Sequence, residues 1–233
     1  MTESNEQNPI ERITPVSTVE ATANALRELI LDGNLEPGTR LREHEFAERL
    51  GIARHSFRAA TQILIGEGLL RREPNRGVEV PILSAADVAD IYKLRAALEV
   101  EAVRLVTEAG VVPVAAQRAV TELSALGENA PWRDVVWPDQ RFHMAIIEAS
   151  GSERLKRAYT DLQSEIVLCL AQLRPAYDQP AEVAAEHEEL LEPIVSGDVA
   201  AAQRLMRAHL DEAVENLVEL YGERSESAED GQA

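Results

Sequence analysis

Cysteine, aromatic residues and long apolar runs are all scarce in this chain of 233 residues. Cys169 is the only cysteine, which excludes a disulfide within the chain and, with the polar N-terminus, favours a cytoplasmic protein. No apolar run approaches the roughly 20 residues that cross a membrane, so no membrane partner is expected. Aromatic residues make up 4% of the chain and hydrophobic residues 45%. This composition predicts a helical protein with a substantial core.

Positive charge is also scarce, because the formal net charge is -18, which taken alone argues against nucleic-acid binding. The distribution of charge changes that conclusion. Residues 40–76 contain eight Arg and five Glu, whereas residues 83–233 contain 13 Lys and Arg against 28 Asp and Glu. A locally basic segment is therefore attached to an acidic body, and only a defined face of the protein could approach DNA.

The N-terminal third of the chain has the pattern of a winged helix-turn-helix domain. Helices are predicted at 19–31, 43–50 and 54–65, and strands at 69–72 and 77–80 around a tight turn. Gly51 suits the left-handed turn between the second and third helices. The third helix carries polar side chains on one face, as a helix in the major groove requires. The residues predicted from these patterns to contact DNA are Arg40, His44, Arg54, His55, Arg58, Gln62 and Arg76.

The rest of the chain predicts helices only. Their spans are 85–109, 114–126, 134–149, 152–173, 181–195 and 198 to about 221, with Ser84 and Asp198 as N-caps. The fold class is thus mainly α, a winged helix-turn-helix followed by an all-α antiparallel bundle. The expected domains are a disordered tail at 1–14, a DNA-binding domain at 15–82, a helical metal- and ligand-binding domain at 83–222, and a disordered tail at 223–233.

Four ionisable residues lie on apolar stripes of the predicted bundle helices. Asp139 and His143 are one turn apart, and His187 and His209 each share a stripe with Leu and Val or Ala residues. A single histidine in such a place is usually a hydrogen-bonded core residue. Burying four such groups without partners is costly, and a shared divalent transition metal such as Zn²⁺, Ni²⁺ or Mn²⁺ removes that cost. The sequence therefore predicts a metal site.

Arg95 lies on an apolar stripe of the first bundle helix, one turn before Glu99. One interpretation is an ion pair within the helix. The other is an effector-binding residue whose guanidinium reaches into the bundle and pairs with an anionic ligand.

These features resemble the GntR family of bacterial transcription regulators, in its FadR branch with the FCD ligand-binding domain. In the N-terminal part the resemblance rests on residues 35–41, 46–47, 50–54, 58–60, 68–70, 75–77 and 80. In the bundle it rests on residues 94–99 and 139–143 and on His187 and His209. It implies that DNA is contacted by the start of the recognition helix, by the Arg one turn later and by the wing tip, which here are Arg54, His55 and Ser56, then Arg58, and then Arg76 and Gly77. It further implies a bound metal whose remaining positions take water or a carboxylate, and a homodimer on a short pseudo-palindromic operator.

Three functions compete at this point. The first is a transcription regulator whose operator affinity is controlled by a small organic acid at the metal site. The second is a metalloenzyme with an accessory nucleic-acid module, in which the metal activates a water. It is disfavoured because no general base, nucleophile motif or phosphate loop accompanies the histidines, so the chain is expected not to be an enzyme. The third is a repressor that senses the metal ion itself.

Overall fold

The computed structural model describes residues 17–73, 77–172 and 179–230. The predicted N-terminal tail and the predicted turn at 74–76, which includes Arg76, lie outside these residues. The helices are α1 (Thr18–Leu31), α2 (Glu43–Arg49), α3 (Arg54–Gly66), α4 (Ala85–Glu108), α5 (Val114–Ser124), α6 (Trp132–Ala149), α7 (Glu153–Gln172), α8 (Pro180–Ser196) and α9 (Val199–Asp230). The strands are β1 (Arg40–Leu41), β2 (Arg71–Glu73) and β3 (Gly77–Glu79). The mainly α fold class is confirmed.

The N-terminal unit packs three helices against a small antiparallel sheet of order β1-β3-β2. Strand β1, which pairs Arg40 with Glu79 and Leu41 with Val78, was not predicted, because two residues are too few to show an alternating pattern. Gly51 has φ 66°, as predicted for the turn between α2 and α3. Leu26, Phe57 and Leu64 are almost fully buried and form the centre of this unit. Burial of such side chains stabilises it by about 1.5–3 kcal/mol each.

Side-chain caps begin the bundle helices where the sequence predicted them. Ser84 caps α4 in a reciprocal arrangement with Asp87, and Asp198 accepts a hydrogen bond from the amide of Ala201 at the start of α9. Helix α9 continues to Asp230, past the predicted end near Tyr221. From Glu223 to Asp230 the sequence contains only Glu, Arg, Ser, Ala and Asp, with no proline to stop the helix. Most of the predicted C-terminal tail is therefore helical.

The bundle is organised around α4, which packs along α9 and also contacts α6, α7 and α8. Helix α5 packs between α6 and α8. This arrangement brings the inward faces of α4, α6, α8 and α9 together at one level of the core. Among the residues that the model describes, no helix is both long and apolar enough to span a membrane.

Candidate metal centre and nucleic-acid interface

Three histidines from three helices meet in the core of the bundle. His143 on α6, His187 on α8 and His209 on α9 each place a ring nitrogen within 4.8 Å of the others. The ring centroids are 5.1–5.4 Å apart. His143 and His187 are fully buried, and the His209 side chain is 12% exposed. The structure thus brings together three of the four predicted metal ligands.

The hydrogen bonds of these imidazoles fix which nitrogen carries a lone pair. His187 Nδ1 lies 2.7 Å from the carbonyl oxygen of Val183, which can only accept, so Nδ1 donates. His143 Nδ1 lies 2.5 Å from a Glu99 carboxylate oxygen and donates in the same way. His209 Nδ1 lies 3.3 Å from Glu186 Oε2. In neutral rings the Nε2 atoms of His143 and His187 then carry the lone pair, and an outer hydrogen bond orients each of these two rings, as is usual for metal-ligating histidines.

Two of these Nε2 atoms and one carboxylate oxygen have no donor. His143 Nε2, His187 Nε2 and Asp139 Oδ2 are buried and make no hydrogen bond within the described part of the chain. Asp139 Oδ1 lies 3.2 Å from His187 Nε2, so two electron-rich atoms face each other in the core. Such an arrangement is unfavourable unless a cation or proton lies between them. Asp139 is outside the mutually close histidine group, although it borders it through His187.

Glu99 links this cluster to Arg95. Both side chains are fully buried, and Arg95 Nε donates to Glu99 Oε1 over 2.6 Å while Glu99 Oε2 accepts from His143. Burial alone would raise the pKa of Glu99, but His143 and Arg95 outweigh that effect and lower it to about 2. Burial lowers the pKa of His143 to about 4, against the opposing effect of Glu99. The carboxylate is therefore ionised and the imidazole neutral at pH 7, which suits a metal ligand.

A narrow cavity opens beside the histidines. Arg95 and Tyr92 of α4, Asp139 of α6 and His209 of α9 form its polar part. Arg95 Nη2 and the Tyr92 hydroxyl are buried and have no hydrogen-bond partner among the described residues. The remaining walls are apolar: Trp132, Val135, Val136, Leu170, Val183 and Ala213. Both interpretations of Arg95 are thus compatible with the structure, because Nε forms the ion pair within the helix while Nη2 has donors to spare.

The predicted DNA-reading face lies on the outer side of α3. Arg54, His55, Arg58 and Gln62 are exposed there, while Phe57 and its neighbours face the core. Ser56 was also predicted to contact DNA, but it is only 7% exposed. It belongs to the inward stripe with Ala60 and Leu64, at four-residue spacing.

Acidic side chains hold several of the predicted DNA contacts. Arg58 forms a two-pronged pair with Glu43 of α2, with Nη2 at 2.8 Å from Oε1 and Nε at 3.1 Å from Oε2. His44 Nδ1 lies 3.6 Å from Glu48. Arg54 makes no ion pair with any described residue and is exposed at the start of α3. If α3 enters the major groove as predicted, Arg54 can contact a phosphate without first breaking an ion pair.

The wing carries a mixed charge. Arg40 of β1 lies 3.7 Å from Glu79 of β3, and Arg71 of β2 lies 3.3 Å from the same carboxylate. Gly77 is exposed at the start of β3 with φ 91°. These contacts place Arg40 beside the wing rather than beside α3, so it would reach DNA with the wing.

Two contacts join the DNA-binding unit directly to the bundle. Arg133, in the first turn of α6, pairs with Asp32 at the C-terminal end of α1. Gly68, just after α3, approaches α7 so closely that an added Cβ would lie 2.2 Å from the Cβ of Ser164. Trp132, the neighbour of Arg133, is a wall of the cavity and donates its indole N–H to the carbonyl of Leu170 over 2.8 Å. Helix α6 thus touches both the cavity and the DNA-binding unit.

A winged helix-turn-helix joined to a helical bundle with a buried polar site defines a class of DNA-binding regulators. The family models agree: residues 18–80 match the bacterial regulatory proteins of the gntR family, and residues 90–212 match the FCD domain. The chain belongs to the GntR family, in the FadR branch with a C-terminal FCD domain. It is a DNA-binding transcription regulator, and its relatives are regulators rather than enzymes.

Similar proteins cover nearly the whole chain. The HTH-type transcriptional regulator YdhC of Bacillus subtilis is 29% identical over 88% of this chain and 92% of its own length. The gluconate operon transcriptional repressor of the same organism is 24% identical, over 91% of this chain and 90% of its own. The crystal structure of a GntR transcriptional regulator from Rhodococcus sp. RHA1 superimposes with a TM-score of 0.69, at 26% identity, over 88% of this chain and 99% of that one.

Several site residues escaped the sequence reasoning. Tyr92 is a cavity residue one turn before Arg95, and its place on the same stripe was the available signal. Glu99 was considered only as a partner for Arg95, although its second oxygen accepts from His143, 44 residues away. Glu186 beside His209 and the apolar walls depend on how the helices pack, which helical periodicity does not determine.

Proposed function

We propose that this regulator binds its operator with an affinity controlled by a small organic acid, held at a metal centre inside the bundle. The observation that carries the proposal is the group of three histidines in the core, of which His143 Nε2 and His187 Nε2 are buried and have no hydrogen donor among the described residues. Beside it, Arg95 Nη2 lacks an acceptor. The unsatisfied Oδ2 of Asp139 and the unsatisfied cationic donor of Arg95 line the same cavity, which suits a cation and an anion bound together.

His143, His187 and His209, with Asp139, are the residues that would hold the ion. Neutral imidazoles and one carboxylate suit Zn²⁺, Ni²⁺ or Mn²⁺. A bound ion would supply positive charge and open coordination positions for a carboxylate ligand. Glu99, Val183 and Glu186 would not bind the ion themselves. Each contacts Nδ1 of one histidine, so that Nε2 of that ring points away from the contact. Arg95 is placed to bind the same anion.

The DNA-reading residues of the proposal are Arg54, His55, Arg58 and Gln62 on α3, with Arg40, His44 and the wing beside them. Arg58 must exchange the carboxylate of Glu43 for a guanine edge or a phosphate when DNA binds. Before DNA binds, the ion pair with Glu43 keeps the Arg58 guanidinium extended and disfavours its contact with other anions. Arg76, at the predicted wing tip, lies outside the described residues and stays a prediction.

Helix α6 is the proposed connection between the two sites. It carries Asp139, His143 and the cavity wall Trp132, and its first turn carries Arg133, which is paired with Asp32 of α1. An acid that enters the narrow cavity pushes against Trp132 and moves the first turn of α6 relative to α1. The effector can act only through a difference in its affinity for the two arrangements.

The regulator is proposed to act as a homodimer on a pseudo-palindromic operator. Two copies of α3 would then enter major grooves roughly 34 Å apart, one turn of the duplex. A change in the angle between bundle and DNA-binding unit alters that separation. Small rotations near α6 are therefore sufficient to change operator affinity.

The test begins with selection of a binding sequence from random duplexes, followed by fluorescence anisotropy with the full chain. We expect Zn²⁺ plus an acid to change the operator Kd by roughly 5- to 150-fold, a typical range for allosteric coupling. Arg133→Ala should retain metal and acid binding but reduce this change in Kd. Arg104→Ala, at the surface of α4, should leave the change in Kd as large as in the wild type. A response to Zn²⁺ alone, without any acid, would instead identify a metal-sensing repressor.

A further inference from the structure

The walls of the cavity indicate what kind of acid it accepts. Its polar end consists of Arg95 Nη2 and the Tyr92 hydroxyl. Both atoms are buried and have no hydrogen-bond partner among the described residues. Burial raises the pKa of Tyr92, so the hydroxyl keeps its proton and can donate to an anion. This end can therefore bind a carboxylate with two donors besides the proposed ion.

The rest of the wall offers nothing to a hydroxyl group. Trp132, Val135, Val136, Leu170, Val183 and Ala213 contribute apolar side chains. The one polar atom among these side chains, the indole N–H of Trp132, already donates to the carbonyl of Leu170 over 2.8 Å. A ligand hydroxyl buried here would lose its hydrogen bonds to water, at a cost of roughly tenfold or more in affinity for each group.

The charges around the cavity favour a single negative charge on the ligand. A divalent ion and Arg95 contribute three positive charges, and the buried carboxylates of Glu99 and Asp139 contribute two negative charges. Glu186 is one third exposed and is screened by solvent. One carboxylate on the ligand therefore brings the buried site to neutrality. A second carboxylate would add an uncompensated charge against apolar walls.

We propose that the effector is a monocarboxylic acid with an apolar body, rather than a sugar acid or a dicarboxylic acid. The inference rests on the proposed function, because it assumes that the cavity is the effector site and that a divalent ion is bound. It separates this chain from the similar gluconate operon repressor, whose name refers to a polyhydroxylated acid. The apolar walls Val135 and Ala213 then determine specificity, and Arg95 and Tyr92 bind the carboxylate.

The experiment is calorimetric titration of the full chain loaded with Zn²⁺, using acetate, butyrate, succinate and gluconate. Two added methylene groups should make butyrate bind roughly tenfold more tightly than acetate, with a negative heat-capacity change. Succinate and gluconate should bind at least tenfold more weakly than butyrate. Val135→Thr or, as a second variant, Ala213→Ser should weaken butyrate binding several-fold and acetate binding less, because acetate has less apolar surface to place against the wall.

The possible failures differ. Tighter binding of succinate or gluconate than of butyrate would overturn the inference and leave an acid-controlled regulator in place. The other failure is that no acid binds the Zn²⁺-loaded chain while Zn²⁺ alone changes the operator Kd. That result would overturn both the inference and the proposed organic effector. Equal binding of butyrate to wild type and to both wall variants would show that these walls do not contact the ligand.

Discussion

Replacing Glu99 by Gln tests whether one carboxylate supports both the ion pair and the metal centre. Glu99 is fully buried, binds Arg95 over 2.6 Å and accepts from His143 over 2.5 Å. The substitution keeps the shape and one oxygen acceptor but removes the charge, which leaves the Arg95 guanidinium buried without its counter-ion. Removing one partner of a buried pair typically costs about 3–5 kcal/mol, and the retained acceptor places Glu99→Gln near about 3 kcal/mol.

This loss should be visible as a change in melting temperature. For a chain of this size about 1 kcal/mol corresponds to roughly 2–4 °C, so the metal-free variant should melt roughly 6–12 °C lower. Zn²⁺ affinity should fall by about 10- to 100-fold, because His143 loses the partner that orients its ring. Differential scanning calorimetry of the metal-free chain and a chelator-competition titration measure the two effects separately.

Glu101→Gln is the matched control. Glu101 lies two residues further along α4, is 43% exposed, and pairs with Arg104 at the surface. Exposed pairs contribute little, so this variant should keep the melting temperature and Zn²⁺ affinity close to those of wild type. The reasoning is refuted if Glu99→Gln behaves like Glu101→Gln in both assays.

Three further predictions test other parts of the structure. Arg58→Ala should weaken binding to the selected operator roughly tenfold. Glu43→Gln should leave operator binding equal or tighter, since it frees Arg58 from its ion pair. Equal operator binding by Arg58→Ala and wild type in fluorescence anisotropy would contradict the assignment of Arg58 as a DNA contact. Gly68→Ala should lower the melting temperature by several degrees, because φ is +69° and the new Cβ would lie 2.2 Å from that of Ser164. Adding Ser164→Gly should restore only part of the loss, since the backbone strain remains. An unchanged melting temperature for Gly68→Ala would contradict the close packing. His209→Ala should reduce Zn²⁺ affinity by at least tenfold in a chelator competition, and unchanged affinity would remove His209 from the ligand set.

The local patterns of the sequence were sufficient for most of the fold. Apolar spacing located the helices to within a few residues except at the C-terminal end of α9, which continues to Asp230. Gly51 and Ser84 marked a turn and a cap that the structure contains. The same spacing placed His143, His187 and His209 on inward faces, because a helix face is a local property. Strand β1 escaped prediction because its two residues take part in the sheet only through β3.

Relations between distant elements were beyond the sequence. The contact of Glu99 with His143 joins α4 to α6, and the pair of Arg133 with Asp32 joins α6 to α1. Neither pair shares a helix, so no spacing rule predicts them. Ser56 shows a different limit, because its position at the start of the recognition helix led to the prediction of a DNA contact. Its four-residue spacing from Ala60 places it on the inward stripe instead.

The central claim is that the histidines of the bundle hold a metal ion together with a small acid. The most direct test is elemental analysis combined with native mass spectrometry of the full chain, purified without chelators, beside His187→Ala. We predict about one divalent transition metal ion per wild-type chain, a small added mass that leaves when the metal is removed, and neither in His187→Ala. A wild-type chain that carries no metal and takes up none from Zn²⁺, Ni²⁺ or Mn²⁺ would contradict the claim.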